Sequence, residues 1–129
     1  MQPGATLPRR TRIRQPAEFK QAFAKGFRIT RAPLAAVCKP QAAEAAGSAG
    51  AEIGHARVGL AISRKAAPRA VDRNRVKRLI REEFRHNRHR LPAVDLVFYG
   101  QPGLATMETA QLRKALAEIW LKVIERCAG

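Results

Sequence analysis

Residues 56–85 read ARVGLAISRKAAPRAVDRNRVKRLIREEFR, and the spacing of apolar side chains changes partway along them. In the first part Val58, Leu60 and Ile62 alternate with Gly59, Ala61 and Ser63, the period of a strand with one buried face and one small, open, polar face. Pro68 interrupts this pattern. From Val71 to Arg90, VDRNRVKRLIREEFRHNRHR has helical periodicity, with Asp72 placed as an N-cap or first-turn anion. At about 100° per residue, Val76, Leu79, Ile80 and Phe84 fall within an arc of roughly 140° that suits packing on a sheet. The adjoining arc holds Arg73, Asn74, Lys77, Arg78, Arg81, Arg85 and Arg88, a cationic stripe, and the arginines near the helix start, Arg73, Arg75 and Arg78, are expected to face outward together.

Upstream, QAAEAAGSAGAEIGHA (41–56) reads as a flexible connection between neighbouring strands, and Ala32 to Pro40, with Leu34 and Val37, as a strand. Before it PAEFKQAFAKG predicts a short helix: Pro16 fits the first helical position, Glu18 the positive end of the dipole, and Gly26 the stop after Lys25. Phe19 and Phe23 stand at i, i+4 and share a face that must meet either core or ligand. Downstream, Leu91-Pro92 ends the basic helix. AVDLVFYG (93–100) follows as a strand, with Val94, Leu96 and Phe98 alternating with Asp95, Val97 and Tyr99. Gln101-Pro102-Gly103 is a turn, and Thr106 to about Cys127 a last helix with Leu112, Leu116, Ile119 and Val123 along one side. A chain of 129 residues suits one core, so residues 1–14 are expected to be a basic, mobile arm and 15–129 a single domain with a flexible loop at 41–56.

The net charge of +15 self-repels unless a polyanion is the usual partner. It is also segregated: residues 1–31 carry 8 basic and 1 acidic side chains and residues 57–90 carry 12 and 3, while 91–129 carry 4 of each. Mere solubility requires no such blocks, so nucleic acid is the expected ligand of the domain. A solvated helix face would interleave acids with bases at i, i+4, whereas Lys77, Arg81 and Arg85 repeat one sign at that spacing. A phosphate backbone reverses that penalty, arginine's planar fork engages phosphate oxygens in pairs, and Asn74 suits a sugar hydroxyl or base edge. Cys38 and Cys127 are too few for a disulfide scaffold and not spaced as a metal pair, so a reduced, cytoplasmic protein is expected. MQPGATLPRRTRIRQP lacks the apolar segment of a signal peptide, and no apolar run approaches the ~20 residues that span a bilayer. His55, His86 and His89, with Glu82 and Glu83, make a poor acid–base set for a protein nuclease, and His86 and His89 at i, i+3 a poor metal site among so many arginines.

Residues 56–85 resemble the hallmark region of the bacterial ribonuclease P protein family: a strand with Arg57-Val58-Gly59 ending in Arg64-Lys65, then Arg73-Asn74-Arg75, Lys77-Arg78 and Arg81-Glu82 on a helix. PAEFKQAFAKG is similar to that family's first helix, with its two phenylalanines four apart, and LPAVDLVFYG to its last strand, so the likeness runs from Arg12 to Val123. The resemblance implies an α+β fold, a two-layer sandwich of a mixed four-stranded sheet with three helices and a left-handed βαβ crossover. It implies the protein subunit of ribonuclease P, an endoribonuclease that removes the 5′ leader of precursor tRNA. Arg73, Asn74, Arg75, Lys77, Arg78 and Arg81 would bind the catalytic RNA, and Phe19, Phe23, Arg64 and Lys65 the leader. Catalysis would come from that RNA and from Mg2+ held mainly by its phosphates, with no catalytic side chain and no metal on the protein alone. The implied partners are the RNA subunit and precursor tRNA, with no membrane and no required protein partner.

Two features depart from the family pattern. Many members carry an aromatic near the position of Val37, so leader contacts on that strand are expected to be weaker or different, and the 41–56 loop is longer than in compact members. Two rival readings share the charge and size: a ribosomal or assembly protein with a related sandwich, and a non-specific nucleic-acid or anionic-membrane binder using the amphipathic basic helix.

Overall fold

The computed structural model describes residues 11–13, 15–41 and 55–127. Most of the arm expected at 1–14 and of the loop expected at 41–56 therefore lies outside the described residues. The parts that are described are packed: Ile13 and Ala56 are buried, and the Ile13 amide donates to Val58 O at 2.7 Å. The domain's packing thus begins before residue 15.

Helix α1 runs Pro16–Lys25 and ends at Gly26, whose amide donates to Ala22 O. A side chain on Gly26 would put Cβ 2.5 Å from Val37 Cγ1 and 2.8 Å from Cys38 O, so the glycine is needed because the helix end lies against a strand. Strands β1 (Phe27–Arg31) and β2 (Leu34–Pro40) follow as a hairpin closed by Ala32-Pro33, whose peptide bond is cis. The strand expected over Ala32–Pro40 thus starts two residues later, and β1 is an additional strand that its charged outer residues conceal. Next come β3 (Arg57–Leu60), helix α2 (Ala70–Asn87), β4 (Val94–Gly100) and helix α3 (Thr109–Cys127). Among the described residues these make one sheet in the order β1-β2-β4-β3, antiparallel except for β3 with β4, and α2 is the crossover between that parallel pair. Arg12 adds an isolated parallel bridge to Val58 along the free edge of β3.

The α+β fold with a mixed four-stranded sheet and three helices is as expected. The main core lies between one face of the sheet and the helices α2 and α3: Ile29, Leu34, Leu96 and Phe98 meet Val76, Ile80, Phe84, Leu112, Leu116 and Ile119. Trp120, 1 % exposed, joins them through ring contacts to Phe84 and Phe98 at 6.1 and 5.6 Å. Among the described residues the opposite face carries α1 and a smaller cluster of Ile13, Ala22, Val37 and Val97. Arg28 and Thr30 are exposed on that face among the described residues, and Tyr99 is half-buried.

Candidate nucleic-acid interface

The apolar arc of α2 is buried as its period predicts, which turns its basic arc outward. Asn74, Arg78 and Arg81 are exposed and Lys77 and Arg85 half-buried. Among the described residues, no carboxylate stands within ion-pair distance of Lys77, Arg78, Arg81 or Arg85; the ion pairs that form involve Arg31, Arg57, Arg113 and Lys122. Glu83 is taken by Arg113 of α3 at 3.4 Å, so of the two adjacent acids only Glu82 borders the stripe, beside Arg78, Arg81 and Arg85.

Arg73, Arg75 and Arg78 do not share one outward face, contrary to expectation. Arg73 folds back, its Nη1 donating to Ala67 O and Pro68 O at 2.9 Å. Arg75 points about 200° around the helix from Arg73, and its guanidinium donates to Ala105 O, Met107 O and Thr109 Oγ1. The reason is local: the ends of the link before α2 and of the turn before α3 present carbonyls with no helical partner, and arginine's donor fork satisfies them. Arg73 and Arg75 thereby fix the start of α2, each with donors to spare, while Asn74, Lys77, Arg78 and Arg81 make the open surface.

At the edge of β3 the stripe meets the first helix. Arg12, Ile13, Phe19, Val58, Leu60, Lys77 and Arg81 line a recess of about 200 Å³. Burial, with the like charge of Arg12 added, pulls the Arg81 pKa down. Positive groups thus gather here beside an aromatic ring.

Phe19 and Phe23 project from α1 onto the second face of the sheet and are both half-buried, packed against the cluster of Ile13, Ala22, Val37 and Val97. Each is therefore core and cleft wall at once. Gly59 makes room for Phe19: a Cβ there would lie 2.9 Å from Phe19 Cε1 and 3.1 Å from Ile13 Cβ. The face of β3 read as open and polar is thus roofed at Gly59. Val37 is fully buried under the end of α1, and Tyr99 on β4 adds a further aromatic to this face, 5.4 Å from the Phe23 ring. Its place in the alternation Asp95, Val97, Tyr99 was the only sequence signal for it. Arg64 and Lys65 are exposed in the turn after β3 and lie outside the lining of the recess.

The cleft is braced by a polar hub. Arg57 donates to both oxygens of Asp95, at 2.9 and 2.8 Å, and to Glu18 of α1 at 3.0 Å, while Gln41 donates to Asp95 and to His55 O. These carboxylates, above all Asp95 through the hydrogen bonds it accepts, drive the Arg57 pKa up. Among the described residues no three His, Cys, Asp or Glu side chains gather as metal ligands, and no helix is long and apolar enough to cross a membrane.

Comparison with known proteins gives one consistent family. The sequence model of ribonuclease P matches residues 7–124. The ribonuclease P protein component of Idiomarina loihiensis is 47% identical over 76 residues, 59% of this chain and 61% of that protein. That of Thioalkalivibrio sulfidiphilus is 35% identical over 123 residues, 95% of this chain and 94% of the relative. The solved RNase P protein of Staphylococcus aureus superposes with a TM-score of 0.73 at 28% identity, covering 89% of this chain and 95% of that one.

Proposed function

The chain belongs to the bacterial ribonuclease P protein family, and on that premise we propose that it binds the catalytic RNA and the 5′ leader of precursor tRNA, promoting hydrolytic removal of the leader in the cytoplasm without a further protein partner. The outer arc of α2, Asn74, Lys77, Arg78 and Arg81, docks on the folded catalytic RNA, with Arg73 and Arg75 holding the start of that helix in place and lending their remaining donors. The α1 cleft takes the unpaired leader, with Phe19 and Phe23 against bases and Arg64 and Lys65 near its phosphates.

The protein's own groups bind, orient and neutralise. Each phosphate paired with a guanidinium or ammonium releases counterions, so the protein lowers the repulsion between two polyanions brought together for reaction. Mg2+ does not suit the donor set on this surface, which is cationic and, among the described residues, without a carboxylate or histidine cluster. In the proposal the magnesium ions belong to RNA phosphates, and no chemical step passes through a protein side chain.

The recess lined by Arg12, Phe19, Lys77 and Arg81 carries this reading, because it sets cationic groups suited to phosphates beside an aromatic ring suited to a base. The test is leader removal by a ribonuclease P RNA at low magnesium with and without this protein. Stimulation is expected; an unchanged rate would reject the reading and favour a ribosomal or assembly role.

A further inference from the structure

Tyr99 stands on the cleft face of β4 between two unlike neighbours. Phe23 meets its ring edge to face, with centroids 5.4 Å apart and planes at 61°. On the other side Arg28 of β1 reaches across β2, donating Nη1–H to the Tyr99 hydroxyl at 2.9 Å with its guanidinium carbon 5.8 Å from the ring centroid. On β2, Ala35 is the direct cross-strand partner of Tyr99 and Val37 that of Arg28, so the contact runs diagonally, and on β4's other side the Ala61 amide donates to Phe98 O. Ala35 is only 1 % exposed, so the sheet here is roofed by its taller neighbours, and their outer surface is what a ligand meets.

Tyr99 packs against the small cluster yet stays partly exposed. Tyr99 and its neighbour Gly100 are the only residues of β4 that are not buried, and Arg28 is exposed with no carboxylate within ion-pair distance among the described residues. An exposed arginine held by a neutral hydroxyl keeps its full charge and most of its donors available. An aromatic face beside an unpaired guanidinium has the chemistry of a nucleotide position: the ring takes a base and the cation its phosphate.

We propose that Tyr99 and Arg28 form a further nucleotide-binding position, continuous with Phe23, that holds one more unpaired nucleotide of the leader. It rests on the reading that the α1 cleft receives the leader. Phe23 joins the two positions, since its ring borders both α1 and Tyr99, and so the strand crosses the open half of the sheet face towards β1. The hydroxyl of Tyr99 orients Arg28, while its ring supplies the stacking surface.

The test uses the holoenzyme reconstituted with this protein, precursor tRNAs with leaders of increasing length, and mature tRNA. Tyr99→Leu keeps an apolar group against Phe23 but removes the stacking face. It should weaken leader-bearing substrate about fivefold or more and leave mature tRNA and RNA-subunit assembly unchanged. Tyr99→Phe should retain most of the affinity, and Arg28→Ala should lower the slope of log affinity against log salt by about one. Wild-type leader affinity in Tyr99→Leu alongside a loss in Phe23→Ala would overturn this position and leave the cleft reading standing. No effect from either variant would overturn both, and equal losses with mature tRNA or in assembly would assign Tyr99 to another RNA surface or to folding.

Discussion

Arg57 and Arg31 both form ion pairs, and their burial separates their worth. The Arg57 side chain is 13% exposed and faces Asp95 at 9%, whereas Arg31 and Glu118 are 37% and 42% exposed. Removing one partner of a buried pair strands the other charge, so Arg57→Ala should cost about 3 kcal/mol, while Arg31→Ala should cost less than about 1 kcal/mol. Urea midpoints of the two variants measure this directly, and equal losses would contradict the burial argument. Arg78→Ala offers the clean test of RNA docking, because Arg78 is exposed and no hydrogen bond or ion pair holds it among the described residues. It should weaken assembly with the catalytic RNA and lower the salt slope by about one without moving the melting temperature. Arg75→Ala, which frees two carbonyls before α3 and the hydroxyl of its first residue, should lower both assembly and stability. The two thiols divide likewise: Cys38 is buried and its pKa is pushed up, first by desolvation and then by Cys127, whose sulfur is 3.8 Å away. A thiol reagent at neutral pH should therefore label Cys127 first and Cys38 only on unfolding.

Helix α1 is the element on which the leader reading depends, and it is held by a small cluster and one hub rather than by the main core. Its amides should exchange with solvent faster than those of β4, which is hydrogen-bonded on both sides. Gly59→Ala drives a methyl into the Phe19 ring and should displace α1, costing about 1–3 kcal/mol and weakening leader binding more than RNA assembly. Much of this element was legible in sequence: Pro16, the phenylalanine spacing and Gly26 give its bounds, and the apolar arc of α2 likewise gives its buried face. What could not be read is what only a tertiary partner decides. Strand β1 follows directly on a helix stop and alternates Phe27 and Ile29 with Arg28 and Thr30, a pattern short enough to pass for a loop until β2 pairs with it. The anchoring of Arg75 depends on where the turn before α3 ends, and the exposure of Tyr99 on how far α1 reaches across the sheet. Local periodicity carries neither.

At the scale of the whole molecule, one large core and one small one sit on opposite faces of a single sheet, and the charge follows the same division. The core around Trp120, Phe84 and Phe98 joins α2, α3 and β4, so tryptophan emission and far-ultraviolet circular dichroism should report one transition in urea. Among the described residues, the exposed arc of α2 and the second face of the sheet meet at the recess of Arg12, Phe19, Lys77 and Arg81. In the proposed function, two RNAs bound on these surfaces would meet at a common edge. The most direct measurement is the affinity of the catalytic RNA, with and without this protein, for a precursor tRNA and for the same tRNA lacking its leader. Addition of the protein should tighten the leader-bearing substrate selectively, whereas an equal gain for both RNAs would contradict a leader-binding cleft.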